Sequence, residues 1–508
     1  MSAVETHLLR HNEKHPALDQ IYNGLDACVT LEVYEELTRL RNYSPEIYDF
    51  ERALQAPILE IMMRGFRIDE YERQKAIAGL NKDILRVYET LQRMSMAIWD
   101  RSLNPRSHKQ LKDFFYGKMR LPEVWTSKKG KRSLSMDREV LEKLDDYFYA
   151  RPIVACVLSF RDLTKLRNVL KTEIDADGRW RSSYNIGGTE SGRLSSSKSA
   201  FGTGSNTQNL NRDDDISSGL PSIRRCFIAD EGFKLCNIDL EQTESFDVGW
   251  LQGTLIGDWA YLDACERGDL HTQVARMVWP DLPWTGDLKA DRKIADQVFY
   301  RHFSYRDMAK RGGHLTNYSG TAWTMSRSLK IPLKIADRFQ HAYALADDAA
   351  FPAFPKWWQR VAEELQTTQV LVTPFGRERQ FFGRARDDTT IREAIAYVPQ
   401  SSTADRMNLG MWRIWKHMPK EAQLLAQVHD SVCFQFPENL DAQEIITQAL
   451  EHTRVVQRSV CGRSMCVGAE AKVGWNWGAF DSKLNPDGMI KWRAHERDSR
   501  TRCTKKIL

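Results

Sequence analysis

Two short apolar runs, each carrying an aspartate, constrain this chain more than any other feature. Asp239 lies in CNIDLEQTESF and Asp430 in AQVHDSVCF. Apolar residues flank each acid, so both runs read as buried strands. A carboxylate at the end of a buried strand is costly unless it is paired or bound to a metal. Two such acids, far apart in sequence, point to a two-metal site assembled by the fold. Between them, Arg306, Lys310, His314 and Tyr318 recur every four residues. At helical pitch they form one slowly drifting stripe. Two cations on consecutive turns suit the β- and γ-phosphates of a nucleotide, and an aromatic farther along can stack on a base. The combination points to nucleotidyl-transfer chemistry.

Each part also has a plainer reading. Either aspartate alone reads as a structural strand end, His429 as a core histidine, and the stripe as a solvated basic helix with Tyr318 in a core. Gly312 and Gly313 strain the helix reading, since each costs about 1 kcal/mol in a helix interior. Close approach of a base or template to the backbone would explain them.

The chain has 508 residues, enough for about three domains of roughly 150 residues each. A net charge of +5 says little about partners, so local clustering matters more. The stretch 101–132 holds Arg106, Lys109, Lys112, Lys118, Arg120, Lys128, Lys129 and Lys131 against Asp113 and Glu123. It reads either as a solvated face or as a surface that grips a phosphate backbone. Nine scattered cysteines with no CxxC pair fit a reducing cytosol, without a zinc cluster or disulfide framework. The polar N-terminus is no signal peptide, and no apolar run is long enough to cross a bilayer.

Periodicity predicts helices over 17–42, over 46–98 with an interruption at Arg64-Gly65-Phe66, and over 137–170. A polar, Gly- and Ser-rich segment from about Gly187 to Gly219 reads as a long functional loop. Strands are expected at Arg225–Ala229, Lys234–Leu240 and Leu425–Phe436, with mainly helix over 243–410 and a weakly ordered basic tail after Trp477.

An ordered set of motifs then resembles the family A, DNA polymerase I-type DNA polymerases, and most nearly their phage branch. DLEQTE resembles motif A through Asp239, Gln242 and Glu244. Arg306, Lys310 and Tyr318 match motif B, and Val428–Asp430 match motif C. TESGRLSSS, TQNL, IRRCF, FRDLTKL, Gln400 in VPQSSTAD and His271 in GDLH match further family positions, in family order, between about residues 20 and 478.

The resemblance implies an α+β right-hand fold: a remnant of an exonuclease domain over 1–45, thumb 46–170, palm 171–260 and 401–480, fingers 261–400 and a basic tail 481–508. It implies template-directed DNA synthesis from deoxynucleoside triphosphates, in phage replication within a host bacterial cytoplasm, beside other replication proteins. Asp239, the Leu240 carbonyl and Asp430 would hold two magnesium ions, with manganese as a substitute. Arg306, Lys310 and His271 would bind the triphosphate, Lys310 also protonating the leaving group. Glu244 would be the steric gate against a ribose 2′-hydroxyl, and Gln242, His314 and Tyr318 would complete the nucleotide site. Arg193, Asn209, Gln400, His429, Lys109, Lys128 and Lys129 would meet the DNA primer-template.

The chain also departs from the family pattern. His314 stands where Phe or Tyr is usual, Ser431 replaces the acid after the motif C aspartate, and Phe246 replaces an arginine. Ser319 stands at a usual Gly, and Ala396 at a usual Asn. At the N-terminus, Tyr22 and Asp26 resemble the last motif of a 3′–5′ proofreading domain, whose other acids would lie upstream. Three readings stand: a polymerase whose exonuclease is a separate polypeptide, a decayed remnant, or residues that merely cap a helix. For the whole chain, the rivals are a single-subunit RNA polymerase, which HDS at His429–Ser431 would suit, and a non-catalytic DNA-binding replication subunit.

Overall fold

The computed structural model describes residues 18–39, 44–128, 131–210, 223–300 and 303–493. Helices and antiparallel strands are mixed along the chain, the α+β arrangement expected. The chain divides into two units, Leu54–Thr243 with Thr403–Leu508, and Met1–Ala53 with Glu244–Ser402. Among the described residues no helix is long and apolar enough to cross a membrane.

The first unit is built on a five-stranded antiparallel sheet. Its strands are β1 (Phe233–Leu240), β2 (Gln423–Val428), β3 (Ser431–Pro437), β4 (Ala469–Gly474) and β5 (Ile490–Lys491), in spatial order β2-β3-β1-β4-β5. β2 and β3 are buried along almost their whole length, which is why they read as continuous apolar runs rather than alternating ones. The core beside the sheet gathers Phe66, Trp180, Phe227, Leu235, Leu425, Val428 and Trp477. Phe66 stacks on Trp477 with ring centroids 5.0 Å apart. Burying each such side chain stabilises by roughly 1.5–3 kcal/mol.

The helices Glu70–Trp99 and Arg151–Leu170 belong to the same unit. Asp69 starts the first by accepting from the Glu72 amide at 3.0 Å, a cap that satisfies one of the free N–H groups of the first turn. Asp100 ends it with φ 55° and its amide on the Met96 carbonyl. A second apolar cluster, including Leu91, Phe114, Phe115, Leu141 and Val154, supports the basic stretch.

Several expectations are corrected in detail. The interruption near Gly65 is a strand, Phe66–Ile68, paired with Arg179–Trp180 and Phe227–Ile228. Its sequence is too short to show a period. The basic stretch carries a helix at His108–Lys112, a π-helix at Asp113–Lys118 and a hairpin of Trp125–Lys128 with Lys131–Leu134. The Ser-rich segment holds a strand, Ser195–Lys198, paired with Ser182–Asn185. Residues 211–222 of that segment, Lys129 and the tail from 494 onward lie outside the described residues.

The second unit is mainly helical. The helix Tyr305–Asn317 packs on Leu270–Val278 and Leu333–Gln340. A capping box between Ser304 and Asp307 sets its start, as the Ser-x-x-acid spacing requires. Its core is aromatic: Tyr343 contacts Phe339, Phe351 and Phe354 with centroids 5.3–5.5 Å apart.

Candidate active site

The two aspartates reach the same end of the sheet by different routes. Asp239 is the penultimate residue of β1, half-buried, opposite Ser431 of β3 on one side and Glu470 of β4 on the other. Asp430 does not lie inside a buried strand, as its apolar flanks suggested. It occupies the two-residue turn His429-Asp430 between β2 and β3 and is half-buried. The apolar residues belong to the strands, and only the acid and its histidine escape the sheet. The Leu240 amide donates to the Asp430 carbonyl at 3.0 Å, which ties the two segments together.

His429 is exposed and takes φ 56° to make that turn, a left-handed conformation that non-glycine residues adopt rarely outside functional or tightly determined sites. Gln242, just after β1, also has a positive φ of 53° and a buried Oε1 without a hydrogen-bond partner. Ser431 is buried, and its hydroxyl donates to the Val428 carbonyl at 2.9 Å. It closes the turn.

Two carboxylates beside a main-chain carbonyl form a hard oxygen-donor set that fits magnesium. Among the described residues no group of three or more His, Cys, Asp or Glu side chains is placed to cage a metal.

In the helical unit, the stripe from Arg306 to Tyr318 is real. Lys310 and His314 are exposed, whereas Met308, Ala309, Gly312, Gly313 and Thr316 face the core. The glycines therefore need a different explanation from an approaching base. A Cβ on Gly312 would lie 2.8 Å from the Phe339 ring, and one on Gly313 would lie 3.4 Å from the Tyr343 hydroxyl. They let two aromatic side chains pack on the helix. Tyr318 caps the helix end, and Ser319 follows with φ 58° at the position where glycine was expected.

Arg306 makes a two-pronged pair with Asp269, Nε to Oδ2 at 2.9 Å and Nη2 to Oδ1 at 3.0 Å. Burial works to raise the Asp269 carboxyl, but the bonds from Arg306 and Thr272 hold it below the usual carboxylate range. Arg292 stands 3.6 Å from the same carboxylate. His271 is half-buried beside this pair. Burial, then Arg306, Lys310 and His314, push its imidazole down to about 4 against the pull of Asp269. It is neutral at pH 7.

Glu244 accepts from the Tyr318 hydroxyl at 3.0 Å, and its Oε2 lies 3.8 Å from His314 Nδ1. The His314 and Tyr318 rings meet edge to face at 5.1 Å. Motif B and the motif A glutamate are thus linked in one unit.

The expected DNA-facing residues are dispersed. Arg193 is half-buried in a segment held by Asn408, whose Nδ2 donates to the Gly192 carbonyl at 3.1 Å. Asn209 is exposed on the short helix Thr207–Asn209. Its neighbour Gln208 donates to the Leu194 carbonyl and to Gln427 Oε1, each at 3.1 Å. That couples this segment to the strand leading to Asp430. Gln400 is half-buried on Asp388–His417, one residue after Pro399. Lys109 is exposed on its short helix, and Lys128 ends the first hairpin strand.

Sequence reading assigned no role to a basic cleft of about 390 Å3 lined by Arg106, Arg161, Lys165, Asn168, Val169 and Thr172. Arg161 donates to the Pro105 and Met136 carbonyls at 2.9 and 2.7 Å. Its Nη2 is buried without a hydrogen-bond partner, and burial lowers its pKa. The i, i+4 spacing of Arg161 and Lys165 in FRDLTKL was the available signal.

This α+β arrangement is the fold of polymerase domains. The chain resembles the solved POL domain of Pol1 from M. smegmatis, in complex with DNA primer-template and dNTP, with a TM-score of 0.66 and 20% identity over 84% of this chain and 70% of that one. Residues 74–479 match the model of DNA polymerase family A, and the chain belongs to that family. It is 28% identical to the thermostable DNA polymerase I of Thermus aquaticus over 84% of this chain and 48% of the relative. It is 27% identical to DNA polymerase I of Treponema pallidum over 90% and 43%. The chain thus spans a little under half the length of these curated relatives.

Proposed function

We propose that this chain is a DNA-directed DNA polymerase, extending a primer 3′-hydroxyl with deoxynucleoside triphosphates on a DNA template. The observation that carries the reading is the placing of Asp239 and Asp430 at one end of the sheet, joined through the Leu240 amide. When bound there by Asp239, Asp430 and the Leu240 carbonyl, two magnesium ions (or manganese) would favour ionisation of the primer hydroxyl and offset charge on the leaving pyrophosphate.

The side chains supply the rest. Arg306, Lys310 and His271 bind the triphosphate, and Lys310 Nζ gives a proton to the leaving group. Glu244, fixed by Tyr318, crowds a 2′-hydroxyl and selects deoxynucleotides. Gln242 and His314 complete the nucleotide site, and Tyr318 lies near the templating base. Arg193, Asn209, Gln400 and His429 meet the primer-template by shape more than sequence. Lys109, Lys128, Lys129 and the Arg106–Arg161–Lys165 cleft hold its backbone.

The boundaries of thumb, palm and fingers given from sequence are part of this proposal. The finer placement, in the phage branch and in viral DNA replication with other replication proteins, rests on the sequence resemblance alone. Tyr22 and Asp26 lie about one turn apart on the helix Leu18–Arg39, with Asp26 exposed.

Primer extension with magnesium tests the central claim. Asp239→Ala is expected to abolish extension while duplex binding persists. Loss of binding together with extension would make the residue structural. Absence of extension by the wild-type chain, with or without a partner exonuclease, would overturn the reading. An RNA polymerase would instead prefer ribonucleotides in the same assay.

A further inference from the structure

The backbone around Arg193 is held at three consecutive carbonyls, each by a side-chain donor. Asn408 Nδ2 donates to the Gly192 carbonyl at 3.1 Å, Thr189 Oγ1 to the Arg193 carbonyl at 2.7 Å and Gln208 Nε2 to the Leu194 carbonyl at 3.1 Å. All of these residues belong to the sheet unit. Gly192 is buried and turns the chain with φ 73°, its amide donating to the Thr189 carbonyl at 3.3 Å. The ladder between Ser195–Lys198 and Ser182–Asn185 starts only at Ser195. Side chains therefore satisfy the carbonyls that the ladder does not reach, as buried main-chain groups require.

Asn408 is the unexpected member. It lies on the helix Asp388–His417 and is 1% exposed, with Met407 and Met411 buried beside it. Asn is a poorer helix former than Leu or Met, and an amide is costly to bury unless it is hydrogen-bonded. An apolar residue would suit both the helix and its core better. What the amide adds is a bond to a segment 216 residues earlier in the chain.

A group whose backbone is already fixed loses less conformational freedom when it binds. With the carbonyls on both sides of it held, Arg193 has its main chain placed before any ligand arrives. Gln208 also donates to Gln427 Oε1 at 3.1 Å, which fastens the same clamp to β2. We propose that Asn408 is a positioning residue, which together with Gln208 and Thr189 fixes the segment so that Arg193 is presented to the primer-template. The inference rests on the reading of Arg193 as a primer-template contact. It goes beyond that reading by giving a role to a buried amide that acts through Arg193 alone.

The experiment uses the full chain and a fluorescently labelled primer-template, titrated without nucleotide so that no chemistry intervenes. Arg193→Ala is expected to weaken binding. Asn408→Leu, similar in volume but without a donor, should weaken it about three- to ten-fold, the span of one net hydrogen bond. In the Arg193→Ala background the same substitution should have no further effect, because residues that act as a unit are not additive. Asn408→Gln keeps an N–H donor and should recover part of the affinity. A packing role would instead favour Leu over Gln.

Should Asn408→Leu fail to fold, Thr189→Val removes the bond to the Arg193 carbonyl at an exposed position and enters the same cycle. Losses that add to that of Arg193→Ala, or unchanged affinity in both Asn408→Leu and Thr189→Val, would overturn the proposal while leaving Arg193 as a contact. Unchanged affinity in Arg193→Ala would overturn the reading of Arg193 itself, and this inference with it.

Discussion

Tyr318 and Glu244 show how a single hydroxyl fixes a neighbouring acid. The bond of 3.0 Å to Oε2 fixes the glutamate, while His314 Nδ1 approaches the same oxygen only to 3.8 Å. A hydrogen bond to a charged group contributes about 1.5–3 kcal/mol. Tyr318→Phe is therefore expected to relax the preference for deoxynucleotides over ribonucleotides by roughly ten-fold or more, and Glu244→Ala by more still. The ratio of incorporation efficiencies measures both, and an unchanged ratio in Glu244→Ala would remove the gate.

Gly312 belongs at the same scale. Because an added Cβ would meet the Phe339 ring at 2.8 Å, Gly312→Ala is expected to destabilise the helical unit by about 1–3 kcal/mol, read as a lower unfolding midpoint. Gly312 could be recognised in sequence as a strain on the helix. The aromatic ring that explains it could not, because Phe339 reaches it only through tertiary packing.

At the scale of elements, the helices Leu270–Val278 and Tyr305–Asn317 are held by Asp269 and its cations, and their stability depends on pH in two windows. The folded protein disfavours protonating His271, whose pKa is lowered to about 4. The unfolded chain protonates near 6.5 and so binds more protons between these values. Stability is expected to fall as pH drops from about 6.5 towards 4. Asp269 has a depressed pKa, so its contribution is present above the ordinary carboxylate range and is lost as pH falls below it. Urea unfolding of His271→Gln should lack the first dependence and retain the second. A wild-type unfolding midpoint that is flat between about pH 6.5 and 4 would contradict the assignment.

Elements were legible to different degrees. Long helices showed their period and buried strands their continuous apolar runs, but the His429-Asp430 turn had no such signal. Short hairpin turns usually advertise themselves through Gly or Asn at positive φ, whereas here a histidine takes φ 56°. The strand pairing of β2 and β3 imposes that conformation, and nothing local announces it.

At the scale of the whole molecule, each unit carries its own candidate site residues. The sheet unit holds the two aspartates and the basic cleft. The helical unit holds the cationic stripe and the glutamate–tyrosine pair. If the cleft grips a phosphate backbone, Arg161→Ala and Lys165→Ala should each weaken duplex binding regardless of sequence. Each should also reduce the slope of affinity against salt by about one counterion. Titration of duplex DNA at several salt concentrations checks this, and an unaltered slope in both variants would exclude the cleft from the interface.

By itself, the sequence determined the family, the fold class and the identity of most candidate site residues. Those depend on residue types in a fixed order, and the order survives in Asp239, Arg306, Lys310 and Asp430. Only the tertiary structure decided which groups meet. It gave Asp430 a turn rather than a strand, Ser431 a turn-closing bond and the glycines an aromatic neighbour. It also engaged Arg306 with Asp269 and made His271 neutral. Register, desolvation and the distance between charges arise when remote segments pack, and none of them is a property of a local run of residues.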